Sequence, residues 1–512
     1  MIRTAKVEGG AVRGIPAADP RITTFKGIPY AAPPVGDLRW RAPQPVAPWE
    51  GEKLCAEFAP IAMQETPGLD PNDIYTREWH VDSSIPMSED CLYLNIWTPA
   101  KSTDEKLPVF VWYFGGGLQV GYPPEMEFDG ERLARRGIVV VTVCYRLNLF
   151  GFLAHPQLTA EQPDAPTNFG NLDQQYATRW CKRNIEAFGG DPDNITIGGQ
   201  SAGGGSVCAQ LTSPQNEGLF RRAIIESGMS TTAFSGGPFG TTFEQGMERG
   251  VRFFDFLGIR TLEEARALDA FYLRDKVAEF RAFFATTPDG MFQTSYATKK
   301  MLKGERWRVP LMITRTADEF RNPVKAASIE EFRAKIREAF GEHAEEFIAY
   351  CGGDLETAME RSTTSNIEVA TRTLAARNEE LGITEPVYYG VFNPEIPGWD
   401  NPGTFHSSDL WFYFESLAKC WRPFTGKHYD LARNMCNYWA NFIRCGDPNG
   451  AEFECYVGQG DIGERMPEWK PMTASEPNAM WFNDRPEPKV DLPDTATRLH
   501  TAACIDKSRR EK

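Results

Sequence analysis

Gly199-Gln200-Ser201-Ala202-Gly203 is a G-x-S-x-G, preceded by the β-branched run Ile195-Thr196-Ile197 and followed by a stretch able to form a helix. A strand, a sharp turn and a helix set the middle serine on a strained corner with its hydroxyl presented outward. A Gly/Ser-rich turn is the bland reading of the same residues, so the serine's partners must decide. A serine hydroxyl is a weak nucleophile at neutral pH. It needs a base, normally histidine, and a carboxylate to orient that histidine. The chain has 6 histidines. His343 lies in a charged helical stretch and His500 near the C-terminus, both expected at the surface; His80 falls in a long loop and His155 in a connector. His406 stands in the small-residue loop Gly403-Thr-Phe-His-Ser-Ser-Asp409, after a strand and late in the chain, and is the first choice, with His428 second. The acid belongs between Ser201 and His406. The loop Arg315-Thr-Ala-Asp-Glu-Phe320, after the strand-like Val309–Thr314, offers Asp318 and Glu319, and spacing does not separate them. Phe114-Gly-Gly-Gly-Leu118 also follows an apolar run. Its glycines, with the N–H of Ala202, can converge on an oxyanion, and such donors are each worth about 2.7–4 kcal/mol of barrier. A dinucleotide-binding turn would need G-x-G-x-x-G; Gly115, Gly117 and Gly121 are spaced one residue too far.

The elements that must position these residues alternate. Leu92–Trp97, Val109–Tyr113, Ile138–Val143, Ile195–Ile197, Ala223–Ile225, Val309–Thr314 and Val387–Phe392 are short apolar runs, typical of strands buried on both faces. Between them lie helical patterns: Asn171–Phe188, the stretch after Ser201, a charged region over about 240–300, a helix opened at Ser328-Ile-Glu-Glu331, and Leu431–Arg444. This alternation predicts an α/β fold with a mixed, mostly parallel sheet flanked by helices. The order serine, acid, histidine is that of the α/β-hydrolase template.

Composition narrows the function. With 512 residues, 41% hydrophobic and 24% charged, the chain reads as globular. A net charge of −15 argues against nucleic acid as a partner. No apolar run reaches the length of a membrane span, and no signal-like segment opens the chain, so a cytoplasmic setting is expected. The 11 cysteines, without C-x-x-C spacing, read as reduced thiols, and no histidine cluster or H-E-x-x-H suggests a metal or other cofactor.

Several segments together resemble the type-B carboxylesterases, the family that includes para-nitrobenzyl esterases and cholinesterases: Phe25-Lys-Gly-Ile-Pro-Tyr30, Ser88-Glu-Asp-Cys-Leu-Tyr-Leu-Asn-Ile-Trp97, Phe188-Gly-Gly-Asp-Pro192, Gly199-Gln-Ser-Ala-Gly-Gly204, Glu226-Ser-Gly228 and Gly446-Asp-Pro-Asn449. The resemblance covers nearly the whole chain. It implies a metal-free serine esterase of the α/β-hydrolase fold, one domain over about 1–506, with a lid-like loop at about 62–90, a helical insertion at about 235–305 and a basic tail at 507–512. By position it implies Ser201 as nucleophile, His406 as base, Glu319 as acid and Gly116, Gly117 and Ala202 as oxyanion donors. Ser227 would support the acid, and Arg39 with Glu89 would form a structural ion pair.

Three departures from the family pattern stand out. Phe114 and Leu118 flank the glycine triplet. Phe320 replaces the glycine after the acid and is expected to disturb that loop. Position 62, where a cysteine usually pairs with Cys91, is Ala62, so the loop should be untied and more mobile. Leu118, Tyr75, Trp79 and the 229–240 segment are expected to line the pocket. The function expected is hydrolysis of short-chain or aryl carboxylic esters through an acyl-enzyme, with a small-molecule ester as partner. The alternatives are a non-hydrolytic cholinesterase-like binding protein, or an amidase or transacylase on the same triad. Oligomeric state is not legible.

Overall fold

The computed structural model describes residues 1–234, 240–450 and 466–510. Its centre is an eleven-stranded sheet. In chain order the strands are β1 (Ile15–Pro16), β2 (Thr23–Pro29), β3 (Tyr93–Thr98), β4 (Leu107–Tyr113), β5 (Val139–Val143), β6 (Gly190–Gln200), β7 (Arg222–Glu226), β8 (Leu311–Thr316), β9 (Val387–Phe392), β10 (Asn478–Phe482) and β11 (Pro486–Val490). Their spatial order is β11-β10-β9-β8-β7-β6-β4-β5-β3-β2-β1. The run from β5 to β10 is parallel and both edges are antiparallel. The central strands are β-branched and aromatic, as in Val-Val-Val-Thr-Val143, and are buried along their length, as a sheet covered by helices on both faces requires. Edge strand β11 carries two prolines and is mostly exposed, which denies neighbouring chains a regular hydrogen-bonding edge.

The helices that matter to the site follow their strands closely. Phe169–Asn184 precedes β6, Ala202–Thr212 follows it, and Gly426–Cys445 packs against β4 and β6. The charged region from about 240 to 300 holds helices Phe243–Leu257, Leu262–Ala267, Ala270–Phe280 and Ala297–Leu302. The expected basic tail is largely the end of a helix, Thr495–Arg510, whose Lys507, Arg509 and Arg510 oppose the negative end of the helix dipole. His500 lies within it and is buried, against the expectation of a surface histidine. Its imidazole takes hydrogen bonds from Ala233 N–H and contacts Thr364 Oγ1, and burial pulls its pKa down to about 4. No helix among the described residues is long and apolar enough to cross a membrane.

The loop at 62–90 departs from expectation. Lacking the disulfide, it is nevertheless tied down by polar contacts. It contains one short helix, Ile74–Glu78, capped by Asp73. The Glu78 carboxylate is buried against Arg422, which donates from Nε at 2.8 Å. Arg422 also binds Asp400 at 2.9 Å, and Asp400 takes a bond from Arg77 at 3.2 Å. Nearer the loop's start, Gln64 exchanges two hydrogen bonds with the backbone of Gly121, at 2.9 and 3.0 Å. His80 meets Glu125 at 3.3 Å. These partners lie far away in sequence, which is why a search for a cysteine could not find them.

Candidate active site

Ser201 sits at φ 55°, ψ −123°, between the end of β6 and the first turn of helix Ala202–Thr212. Its N–H is held by the carbonyl of Glu226 on β7 at 2.8 Å. The corner is possible only because Gly203 carries no side chain: a Cβ there would meet the Tyr113 carbonyl oxygen at 2.0 Å. Sheet and helix therefore close tightly, and the serine is pushed out above the carboxyl ends of the strands.

His406, on the loop after β9, reaches Ser201: Nε2 lies 2.7 Å from the serine Oγ. On its other side Nδ1 makes a short contact with Glu319 Oε2. Glu319 is almost wholly buried, and its second oxygen accepts from Ser227 Oγ at 2.6 Å and from Thr316 N–H at 2.8 Å. Both carboxylate oxygens are thus engaged, which fixes the orientation of the carboxylate. The neighbouring Asp318 turns away. It accepts from the backbone N–H and the hydroxyl of Thr404, at 2.9 and 2.8 Å, and so staples the acid loop to the loop that carries His406. Of the two carboxylates that spacing left open, the geometry brings Glu319 to the imidazole and gives Asp318 a scaffolding contact.

Phe320 does not tilt this loop out of reach. It adopts φ 45° itself, the left-handed conformation a glycine would hold without strain. Its ring lies 4.5 Å from the His406 ring, inclined at 54°.

The glycine triplet passes beside Ser201: a Cβ on Gly115 would stand 3.1 Å from the serine Cβ. Gly116 has φ 100°, and a Cβ there would strike the Val120 carbonyl oxygen at 2.1 Å, so the turn that aims the next amides demands glycine. Gly117 follows at φ 66°. Ala202, at the first position of its helix, has an N–H with no acceptor one turn back. Phe114 is buried and stacks on Tyr145 at 4.2 Å, packing beneath the turn instead of lining the site.

Two cavities flank the serine. The larger, about 610 Å³, is bounded by Ser201, His406, the glycine triplet, Tyr75, Trp79 and the acidic residues Glu65, Asp70, Asp73 and Glu125. The smaller, about 90 Å³, is bounded by Leu118, Ala202, Gly228, Ser230, Thr286 and Tyr296. Tyr75 and Trp79 thus meet the first cavity and Leu118 the second; residues 235–239 of the segment expected to line the pocket lie outside the described residues. Sequence reasoning missed Thr286 and Tyr296, which lie in the helical region without a motif. It also missed Phe283, whose ring is within 3.9 Å of where a Gly117 Cβ would be.

Behind Ser201, His406 and Glu319 are two further buried carboxyls. Burial, then the charge of Glu319, raises the pKa of Asp409 to about 8. Glu226 is pushed well above the carboxylate range by burial and by Asp409, and it accepts a 2.6 Å bond from Trp439 Nε1. Of the other histidines, His80 lines the larger cavity beside Glu125, whereas His155 and His428 are structural. His155 caps a helix and stacks on Phe254, and His428 is buried against Thr425 and Glu395.

The model of the Carboxylesterase family matches residues 2–502. The para-nitrobenzyl esterase of Bacillus subtilis (strain 168) is 32% identical over 470 residues, 86% of this chain and 89% of that one. The fumonisin B1 esterase of Sphingopyxis macrogoltabida is 35% identical over 351 residues, 66% of this chain but 61% of its own length. The solved structure of a PNB esterase superposes with a TM-score of 0.77 at 28% identity, covering 98% of this chain and all of that one. The fold is the α/β-hydrolase fold. The chain belongs to the carboxylesterase family: it is a carboxylic-ester hydrolase.

Proposed function

We propose that this chain hydrolyses short-acyl esters of neutral or cationic alcohols in two steps, through an acyl-enzyme on Ser201. The observation that carries the reading is the continuous chain Ser201–His406–Glu319, with 2.7 Å from the serine Oγ to the imidazole. As the serine oxygen attacks the ester carbonyl, His406 Nε2 takes its proton, and the Glu319 carboxylate stabilises the imidazolium that forms. The carbonyl oxygen becomes an oxyanion and is met by the N–H groups of Gly116, Gly117 and Ala202. The tetrahedral intermediate collapses as His406 hands its proton to the leaving alkoxide, releasing the alcohol. The same imidazole then takes a proton from water, whose oxygen attacks the acyl-enzyme, and a second collapse returns the proton to Ser201 and frees the acid. Ser227 acts through Glu319, as a positioning residue.

The substrate reading rests on the two cavities. The small one adjoins the oxyanion donors and suits the acyl group; at about 90 Å³ it holds only a short chain. The large one receives the alcohol. Tyr75 and Trp79 offer it aromatic walls. Glu125 is paired with His80, but Glu65, Asp70 and Asp73 face no lysine or arginine among the lining residues and disfavour an anionic group. The relative named para-nitrobenzyl esterase, after an ester of a neutral benzylic alcohol, supports the same division. The 10 described cysteines are all outside disulfides, which fits a cytoplasmic setting. Ser201→Ala, assayed on a short-acyl aryl ester and with a fluorophosphonate probe, tests the mechanism. Turnover or labelling like that of the wild type would sink it. A series of acyl lengths against neutral, cationic and anionic alcohols tests the substrate class: equal kcat/KM for the anionic and cationic members would refute the charge argument.

A further inference from the structure

Among the aromatic residues near Ser201, Phe320 is the one whose backbone resists its presence. A bulky side chain at φ 45° is strained, and glycine would hold the same turn freely. The turn is nevertheless enforced. The Phe320 carbonyl accepts from Asn366 N–H at 3.4 Å and from Asn322 Nδ2 at 3.0 Å, and Arg321–Asn322 pairs with Thr364–Ser365. The strained geometry lays the ring against the His406 imidazole, 4.5 Å away at 54°, while nearly half of Phe320 stays open to solvent. The residue is not core, and the acid beside it is already held without it, through Ser227 and Thr316 on one oxygen and His406 on the other.

The imidazole needs such a contact. In the resting site its two nitrogens are held by Ser201 and Glu319. Each time it passes its proton to the leaving alcohol or takes one from water, the bond to Ser201 is broken or redirected. At those moments Glu319 fixes one nitrogen and leaves rotation about the ring's own bond open; Gln200 Nε2, 3.4 Å from His406 Nε2, is a donor and cannot hold the protonated ring. The imidazole is also then a cation, which an aromatic ring within about 6 Å attracts.

We propose that Phe320 is a positioning residue for His406: its ring holds the imidazole in plane and favours the imidazolium through both steps of the reaction. The inference rests on the esterase reading above. Phe320→Gly removes the ring and relieves the backbone, Phe320→Leu keeps the strain but removes the aromatic face, and Phe320→Tyr keeps both. The assay uses an aryl and an alkyl ester with the same acyl group. The expected result is a fall of about tenfold in kcat for Gly and Leu on both esters, with KM little changed, recovery in Tyr, and a Tm for Gly no lower than the wild type. Fluorophosphonate labelling of Ser201 should slow by a similar factor in Gly and Leu. Wild-type kcat in the Leu variant overturns the inference. A loss confined to the aryl ester also overturns it, because the ring would then be touching substrate and not acting through His406. In both of those cases the wild type still turns over esters and the esterase reading stands; a wild type that neither turns over esters nor is labelled fails that reading itself.

Discussion

Glu78→Gln is the sharpest test of how the 62–90 loop is held. The side chains of Glu78 and Arg422 are 0% and 1% exposed. The substitution keeps the shape and the hydrogen-bond acceptor but removes the charge, leaving a buried guanidinium with Asp400 as its remaining counter-charge. Removing one partner of a buried pair costs about 3–5 kcal/mol; Asp400 places this case near 3. The unfolding entropy is about 2.1 cal/mol/K per residue, so in 512 residues about 3 kcal/mol lowers Tm by about 3 °C. The global shift is modest because the chain is long, but the local effect is concentrated in the loop, so limited proteolysis within 62–90 is the more sensitive readout. Cleavage there should rise by about two orders of magnitude if the loop opens as a unit. kcat/KM should fall as well, because Tyr75 and Trp79 leave the cavity wall. Lys106→Ala serves as the control. It removes an exposed pair with Glu186 and should change neither readout. A Glu78→Gln variant as resistant to protease and heat as the wild type would refute the claim that this ion pair does the disulfide's task.

Three other outcomes follow from the site. Ser227→Ala removes a 2.6 Å bond to the triad carboxylate and should lower kcat by about one to two orders of magnitude with KM unchanged, measured on any good ester; an unchanged kcat would remove Ser227 from the mechanism. Gly116→Ala places a methyl 2.1 Å from the Val120 carbonyl oxygen and should abolish turnover while circular dichroism shows a folded chain; an active variant would mean the turn does not aim the oxyanion donors. Asp409 keeps its proton in the folded state up to about pH 8 but loses it near pH 4 when unfolded, so between those values rising pH lowers stability. Asp409→Asn cannot ionise, and its Tm should gain on the wild type progressively from pH 5 to pH 8; a difference flat across that range would contradict the shift.

Much of the fold was legible because its signals are local. The apolar runs between residues 92 and 392 mark seven of the sheet's eleven strands, since strands buried on both faces need continuous β-branched sequence. The short edges β1, β10 and β11, and the burial of His500, were not legible, because what surrounds them comes from elsewhere in the chain. The motif around Ser201 and its helix were also readable, because the corner is made by glycines adjacent in sequence.

What the sequence determined by itself was the inventory: a serine on a sharp turn, a histidine in a late loop, acids between them and a run of glycines able to turn amides inward. Each depends on residue type and near neighbours. The tertiary structure decided which groups meet. It turned Glu319 to His406 and Asp318 to Thr404, although the two acids are adjacent and chemically alike, because each meets a different residue of the loop that packs against them. It tied the 62–90 loop through Arg422, 344 positions from Glu78, where a disulfide was missing. It set Phe320 in a strained turn against the imidazole. Direction, burial and charge pairing across hundreds of residues are properties of the packed chain. They arise only once the sheet has brought its strand ends to one edge.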